Sequence, residues 1–172
     1  MPKVSNKENK NAFFQKREEL GLTRDKASEL LESIPADRIE KIENERVEPH
    51  PEEILIMAEK YKAPELANYY CANQCPIGKK YVPEIEMKDL SQIVLSMLSS
   101  LNYVQDSQRR VIDITADGII DDSEIEEFID IQDKLEEISI TVEALQLWSE
   151  RMLANGKINV GKYDEMKSKK KK

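Results

Sequence analysis

From Ala12 onward the apolar residues of this chain recur at steps of three and four, and only 5 glycines interrupt the pattern. That spacing lines apolar side chains along one face of a helix. Long stretches rich in Glu, Lys, Leu and Ile, with 6% aromatic residues, favour helix over sheet throughout. The expected fold is all-α. At 172 residues, 40% of them hydrophobic, the chain can build one medium core or two small ones.

The pattern resolves into segments. Residues 1–10, with Lys3, Asn6, Lys7, Asn9 and Lys10, carry few apolar side chains and read as a frayed arm. Phe13, Phe14, Arg17 and Leu20 then share a helical face that Gly21 closes. Thr23 is suited to cap a second helix bearing Ala27, Leu30 and Leu31, and Glu32-Ser33-Ile34-Pro35 breaks it. A third runs from about Ala36 to Asn44 with Ile39 and Ile42 on its buried face. Pro49 and Pro51 introduce a fourth through Ile54, Leu55, Met57 and Ala58, and Pro64 opens a fifth through Leu66 and Tyr70. Leu30, Leu31, Ile39, Ile42 and Met57 are expected in the core.

A linker is expected at 76–85, where Pro76, Gly78 and Pro83 end regular structure. Beyond it, residues 86–154 read as a helical hairpin. Leu90, Ile93, Val94, Met97, Leu98, Leu101 and Val104 form one apolar stripe. Phe128, Ile131, Leu135, Ile138, Val142, Leu145 and Met152 follow a heptad-like spacing on a long helix from about Ser123 to Leu153. Such a seam suits an antiparallel hairpin, a dimeric coiled coil, or both. The tail 155–172, ending Lys-Ser-Lys-Lys-Lys-Lys, is expected to be disordered.

The segment Leu22-Thr23-Arg24-Asp25-Lys26-Ala27-Ser28-Glu29-Leu30-Leu31, a turn, and Arg38-Ile39-Glu40-Lys41-Ile42-Glu43-Asn44 resemble, in order and spacing, the repressor/Cro-like (XRE) helix-turn-helix family. The resemblance covers about Asn11 to Glu65, roughly a third of the chain, and implies a five-helix domain over residues 11–75 that binds double-stranded DNA. In that family Thr23 would cap helix 2, Ser28 would be the small residue at the helix crossing, and helix 3 would enter the major groove. Arg24 stands where the family often has a glutamine that meets a phosphate. The turn is one residue longer than usual and lacks the family's glycine. The DNA-contact candidates are Thr23 and Arg24 on helix 2, Arg38 and Lys41 for base edges or nearby phosphates, Asp37 as an acceptor from cytosine, and Asn44 and Arg46 for backbone.

The formal net charge of −8 runs against phosphate contact. Residues 1–80 hold 14 Lys and Arg against 15 Asp and Glu, however, so the acidity lies in the second half. Two other features bear on chemistry. Asp113, Thr115, Asp117, Asp121 and Glu124, with Gly118 between them, resemble the spacing of an EF-hand calcium loop; the alternative is a helix-helix corner in which Asp121 or Asp122 caps the next helix. Cys71 and Cys75 supply half of a tetrahedral zinc site, or two reduced thiols packing a helix end. No glycine-rich phosphate loop or nucleophile elbow is present, there is a single histidine, and no cofactor is implied, so a non-enzyme is expected. No apolar stretch reaches the roughly 20 residues of a membrane span, and the first residues carry no signal-peptide core, so a cytoplasmic location is expected. The expectation is a transcriptional regulator that dimerises through its C-terminal helices. The alternative is an interaction module that keeps the fold, binds a protein partner and has no affinity for DNA.

Overall fold

The computed structural model describes residues 10–106, 108–116 and 118–170, with the side chains of Arg110 and Thr115 outside the description. All regular structure among these residues is helical, as the apolar spacing predicts. The helices are α1 (Ala12–Glu19), α2 (Arg24–Leu31), α3 (Ala36–Glu43), α4 (Pro51–Lys60), α5 (Glu65–Asn73), α6 (Gly78–Tyr81), α7 (Leu90–Asp106), α8 (Gln108–Thr115), α9 (Ile125–Ala154) and α10 (Val160–Lys169). None is long and apolar enough to cross a membrane. They fall into two units, one running to Glu84 and resuming at Glu150, the other Ile85–Ser149.

The first unit is built around Phe13, Leu31, Ile34, Ile39, Ile42, Ile54, Met57, Tyr61 and Leu66, all buried and drawn from α1 to α5 and their turns. Each large aliphatic or aromatic side chain removed from water in this way contributes about 1.5–3 kcal/mol. Local chemistry sets the helix ends. Asn11 caps α1 by accepting from the Phe14 N–H at 3.0 Å, and its own Nδ2 donates to the Ile42 carbonyl 2.9 Å away, tying the start of α1 to α3. Gly21, at φ +66°, ends α1. Thr23 caps α2, accepting from the Lys26 N–H at 3.3 Å. Pro51 opens α4, and Glu53 accepts from the His50 N–H at 2.7 Å.

Four expectations are corrected. Leu30 is 38% exposed, because α2 turns Ala27 and Leu31 inward instead. The small residue buried where α2 meets the core is Ala27, while Ser28 is half-buried. The linker 76–85 contains a helical turn, α6, seated on α5; a Cβ on Gly78 would come within 2.0 Å of the Cys71 carbonyl oxygen, so only glycine permits the approach. The tail beyond Asn155 is not disordered over its length: Gly156, at φ +68°, ends α9, and Asn159 caps α10 by accepting from the Lys162 N–H at 2.9 Å. Residues 1–9 of the expected arm lie outside the described residues.

In the second unit α7 and α9 run antiparallel. Ile93 packs with Ala144 and Leu147, the Ser100 hydroxyl donates to Glu137 at 3.1 Å, and Lys134 lies 5.6 Å from the centre of the Tyr103 ring, so later positions of α7 meet earlier positions of α9. The expected hairpin therefore forms, with α8 in the connection between α7 and α9. Its buried cluster is small: Ile85, Ile93, Ala144 and Leu147, flanked by Met87, Ile140, Leu145 and Trp148. Of the heptad-like seam, Ile131 is buried and Phe128, Ile138 and Leu145 half-buried, but Leu135 and Val142 remain exposed.

Candidate nucleic-acid interface

The segment with helix-turn-helix spacing is α2, a turn, and α3. Between them the backbone makes an unusual reversal: Glu32 adopts φ 59°, ψ −48°, and the Ser33 N–H donates to the Leu31 carbonyl at 2.6 Å. This is a γ-turn of the rare, strained hand, in the place where a glycine would carry no such strain. It accounts for how a turn without glycine still packs α3 against α2 through Ala27, Leu31, Ile39 and Ile42.

On α3 a carboxylate joins the buried face. Glu43 is 1% exposed and receives two arginines. Arg17 of α1 donates through Nη2 to Oε2 at 2.9 Å and through Nε to Oε1, while Arg24 of α2 donates through Nε to Oε2 at 2.9 Å. Arg17 also reaches the Leu22 carbonyl at 2.6 Å. Burial works against the charge on Arg17, but its hydrogen bond to Glu43 and that carboxylate's charge outweigh the penalty and raise its pKa. Three helices thus share one charged contact. The Tyr61 hydroxyl lies buried near it with no hydrogen-bond partner among the described residues, and burial followed by the Glu43 charge pushes its pKa up to about 12.

The candidate DNA-contact residues are brought to this region, and each expected cation is already paired. Arg24 is committed to Glu43. Arg38 forms a fork with Glu53 of α4 at 2.8 and 2.7 Å and donates to the Glu48 carbonyl at 3.1 Å. The hydrogen bonding between the two side chains raises the Arg38 pKa and lowers that of Glu53. Lys41 donates to Asp37 one turn earlier at 3.2 Å, which holds the exposed Asp37 carboxyl below its ordinary value. Arg46 lies 3.3 Å from Glu40, and Asn44 donates to the Glu40 carbonyl at 2.8 Å and its side chain at 2.7 Å. Thr23 uses its oxygen as the α2 cap.

These pairs differ in how easily they open. Arg24 and Arg38 are bound to carboxylates that are buried or nearly so, with Glu43 at 1% and Glu53 at 17% side-chain exposure. Removing either arginine costs structure. Lys41 and Arg46 are exposed, at 46% and 66%, and pair at the surface with the α3 carboxylates Asp37 and Glu40, where ion pairs contribute little. Phosphate oxygens can replace such partners at small cost. The sequence reading missed Glu43, Glu53 and Asn11. The signals were present: Arg17 among Phe13 and Phe14 on an apolar face, Glu43 four residues after Ile39, Glu53 two after Pro51, and Asn11 just before the first apolar run.

The other candidates separate in space or in role. Asp113 belongs to α8, whereas Asp121 accepts from both the N–H and the hydroxyl of Ser123 at 2.7 and 2.6 Å, and Glu124 accepts from the Asp121 N–H at 3.2 Å. These are capping contacts at the start of α9. Asp117 and the Thr115 side chain lie outside the described residues. Among the described residues no three His, Cys, Asp or Glu side chains gather as metal ligands do. Cys71 and Cys75 are half-buried free thiols, and Cys75 Sγ accepts from the Gly78 N–H at 3.4 Å. Compared with known proteins, the chain matches no family profile, no curated protein and no solved structure.

Proposed function

We infer that the protein is a DNA-binding regulator of the helix-turn-helix kind, in which the exposed edge of α3 approaches the major groove. The supporting observation is the division of α3 into two edges. One is fixed in the core by Ile39, Ile42 and Glu43, and the other carries Lys41, with Arg46 just beyond it, in ion pairs that solvent already reaches. A rigid helix with exchangeable cations suits phosphate contact, because each phosphate neutralised releases condensed counterions. Two such cations give modest affinity and a shallow salt dependence. Self-association would supply the rest by presenting two α3 helices to half-sites about one DNA turn apart.

A second reading has one observation in its favour. Every candidate cation of the interface faces a carboxylate of its own unit, which is how a surface avoids polyanions while remaining open to a protein partner. The two readings separate in a titration of the full chain against DNA from upstream of its own gene and against scrambled DNA of equal length. The regulator prefers the upstream DNA and binds less tightly as salt rises. The interaction module binds neither at any salt concentration.

A further inference from the structure

We propose that α10 of one copy docks in an apolar groove on the acidic α7/α9 hairpin of a second copy, so that two chains exchange C-terminal helices in a closed dimer. This does not depend on DNA binding.

The groove follows from the register of the hairpin. Lys134 covers the Tyr103 ring on one side. Leu135 is the next residue and turns to the other side, as does Leu101, two residues before Tyr103, at 100° per residue of helix. Val142 follows Leu135 by one heptad and Leu98 lies one turn before Leu101. All four are exposed, Leu135 at 51%. A hairpin with a buried cluster of four side chains that leaves four more in water on one side is incomplete by itself. Glu136 and Glu143 lie beside this apolar strip on α9.

The occupant is argued from charge. Residues 85–149 hold 4 Lys and Arg against 15 Asp and Glu, a net of −11, so two hairpins pressed seam to seam repel. Residues 150–172 hold 8 Lys and Arg against 3 Asp and Glu, a net of +5. Within them α10 has no buried residue, and ten-residue helices are marginal in water without a covering surface. Its apolar Tyr163 and Met166, with Ile158 just before it, line a concave strip of about 470 Å³ together with Lys162, Lys167 and Lys170. An apolar strip edged with lysines matches an apolar groove edged with carboxylates.

A two-fold axis makes the exchange between two copies reciprocal and closed.

The test is sedimentation equilibrium of the full chain at low and high salt, with circular dichroism to confirm that each variant keeps its helix content. One variant carries Lys162→Glu, Lys167→Glu and Lys170→Glu; a second carries Glu136→Lys and Glu143→Lys. Wild type is expected to be dimeric at low salt and to dissociate as salt rises. Each variant alone should dimerise at least tenfold more weakly, and an equimolar mixture should recover the dimer, since both docking contacts then pair opposite charges. A wild type that is monomeric at low salt, or a dimer unaffected by the lysine substitutions, overturns the proposal. So does a mixture that stays monomeric. Loss of DNA or anionic-vesicle binding in the lysine variant with an unchanged dimer assigns α10 to that surface and also overturns it.

Discussion

Glu43, buried at the end of α3, is held by Arg17 from α1, and this ion pair fixes the position of the helix on which the functional reading rests. Breaking a buried pair leaves an uncompensated charge and costs about 3–5 kcal/mol. Glu43→Gln removes the charge and strands Arg17, so a loss of about 3 kcal/mol is expected in urea unfolding followed by circular dichroism. A loss under about 1 kcal/mol, the size of an exposed pair, would mean that the contact does not organise the unit.

Tyr61 sits close to that pair, and its hydroxyl has no hydrogen-bond partner among the described residues. Replacing a buried, unsatisfied polar group by an apolar isostere is nearly neutral or stabilising. Tyr61→Phe should therefore leave the urea midpoint unchanged or raise it. A destabilisation of more than about 1 kcal/mol would show that the hydroxyl makes a hydrogen bond in solution.

Arg38 and Glu53 join α3 to α4, and the pair gives stability a defined pH dependence. Hydrogen bonding to Arg38 lowers the folded-state pKa of Glu53 below its ordinary 4.5. The contribution is then complete above that value, and it is lost as pH falls through the depressed folded value. Arg38→Ala should cost about 1 kcal/mol at neutral pH. The difference from wild type should shrink between pH 4.5 and the lower folded value, read from unfolding curves collected at several pH values. A gap that stays constant down to about pH 3, well below the ordinary carboxylate range, would rule out the ion pair as its source.

The γ-turn at Glu32 stores strain where α2 gives way to α3. Positive-φ conformations of this kind cost a non-glycine residue about 1–3 kcal/mol, and glycine loses part of that gain to the entropy of the unfolded chain. Glu32 also gives up its exposed contact with Lys60, which contributes little. Glu32→Gly should raise stability by about 1 kcal/mol. A decrease would mean that the Glu32 side chain, and not its backbone, governs the turn.

The first five helices and the hairpin of the second unit were legible because caps, breakers and apolar spacing act locally: Gly21 ends α1, Thr23 caps α2 with its side chain and Pro51 opens α4. The exposure of Leu30 could not be read this way, since which of two adjacent leucines turns inward depends on the face that α2 packs against the core. The pairing of the interface was hidden for a similar reason. Arg38 and Glu53, or Arg17 and Glu43, are 15 and 26 residues apart, and only the packed helices bring them into contact. Charge counting identified the cations but not their partners. The helix α10 was overlooked because a lysine-rich tail reads as solvated chain, although Asn159 marked its cap.

The central claim is that Lys41 and Arg46 exchange their carboxylates for phosphates, while Arg24 and Arg38 serve the fold. Fluorescence anisotropy of the full chain on labelled upstream DNA, across a range of salt concentrations, tests it most directly. Wild type should bind the upstream DNA more tightly than a scrambled sequence. Lys41→Ala with Arg46→Ala should weaken binding at least tenfold and reduce the salt slope by about 2, since each phosphate that is no longer neutralised lowers it by about 0.9. Absence of wild-type binding at the lowest salt, or an unchanged slope in the double variant, would contradict the account.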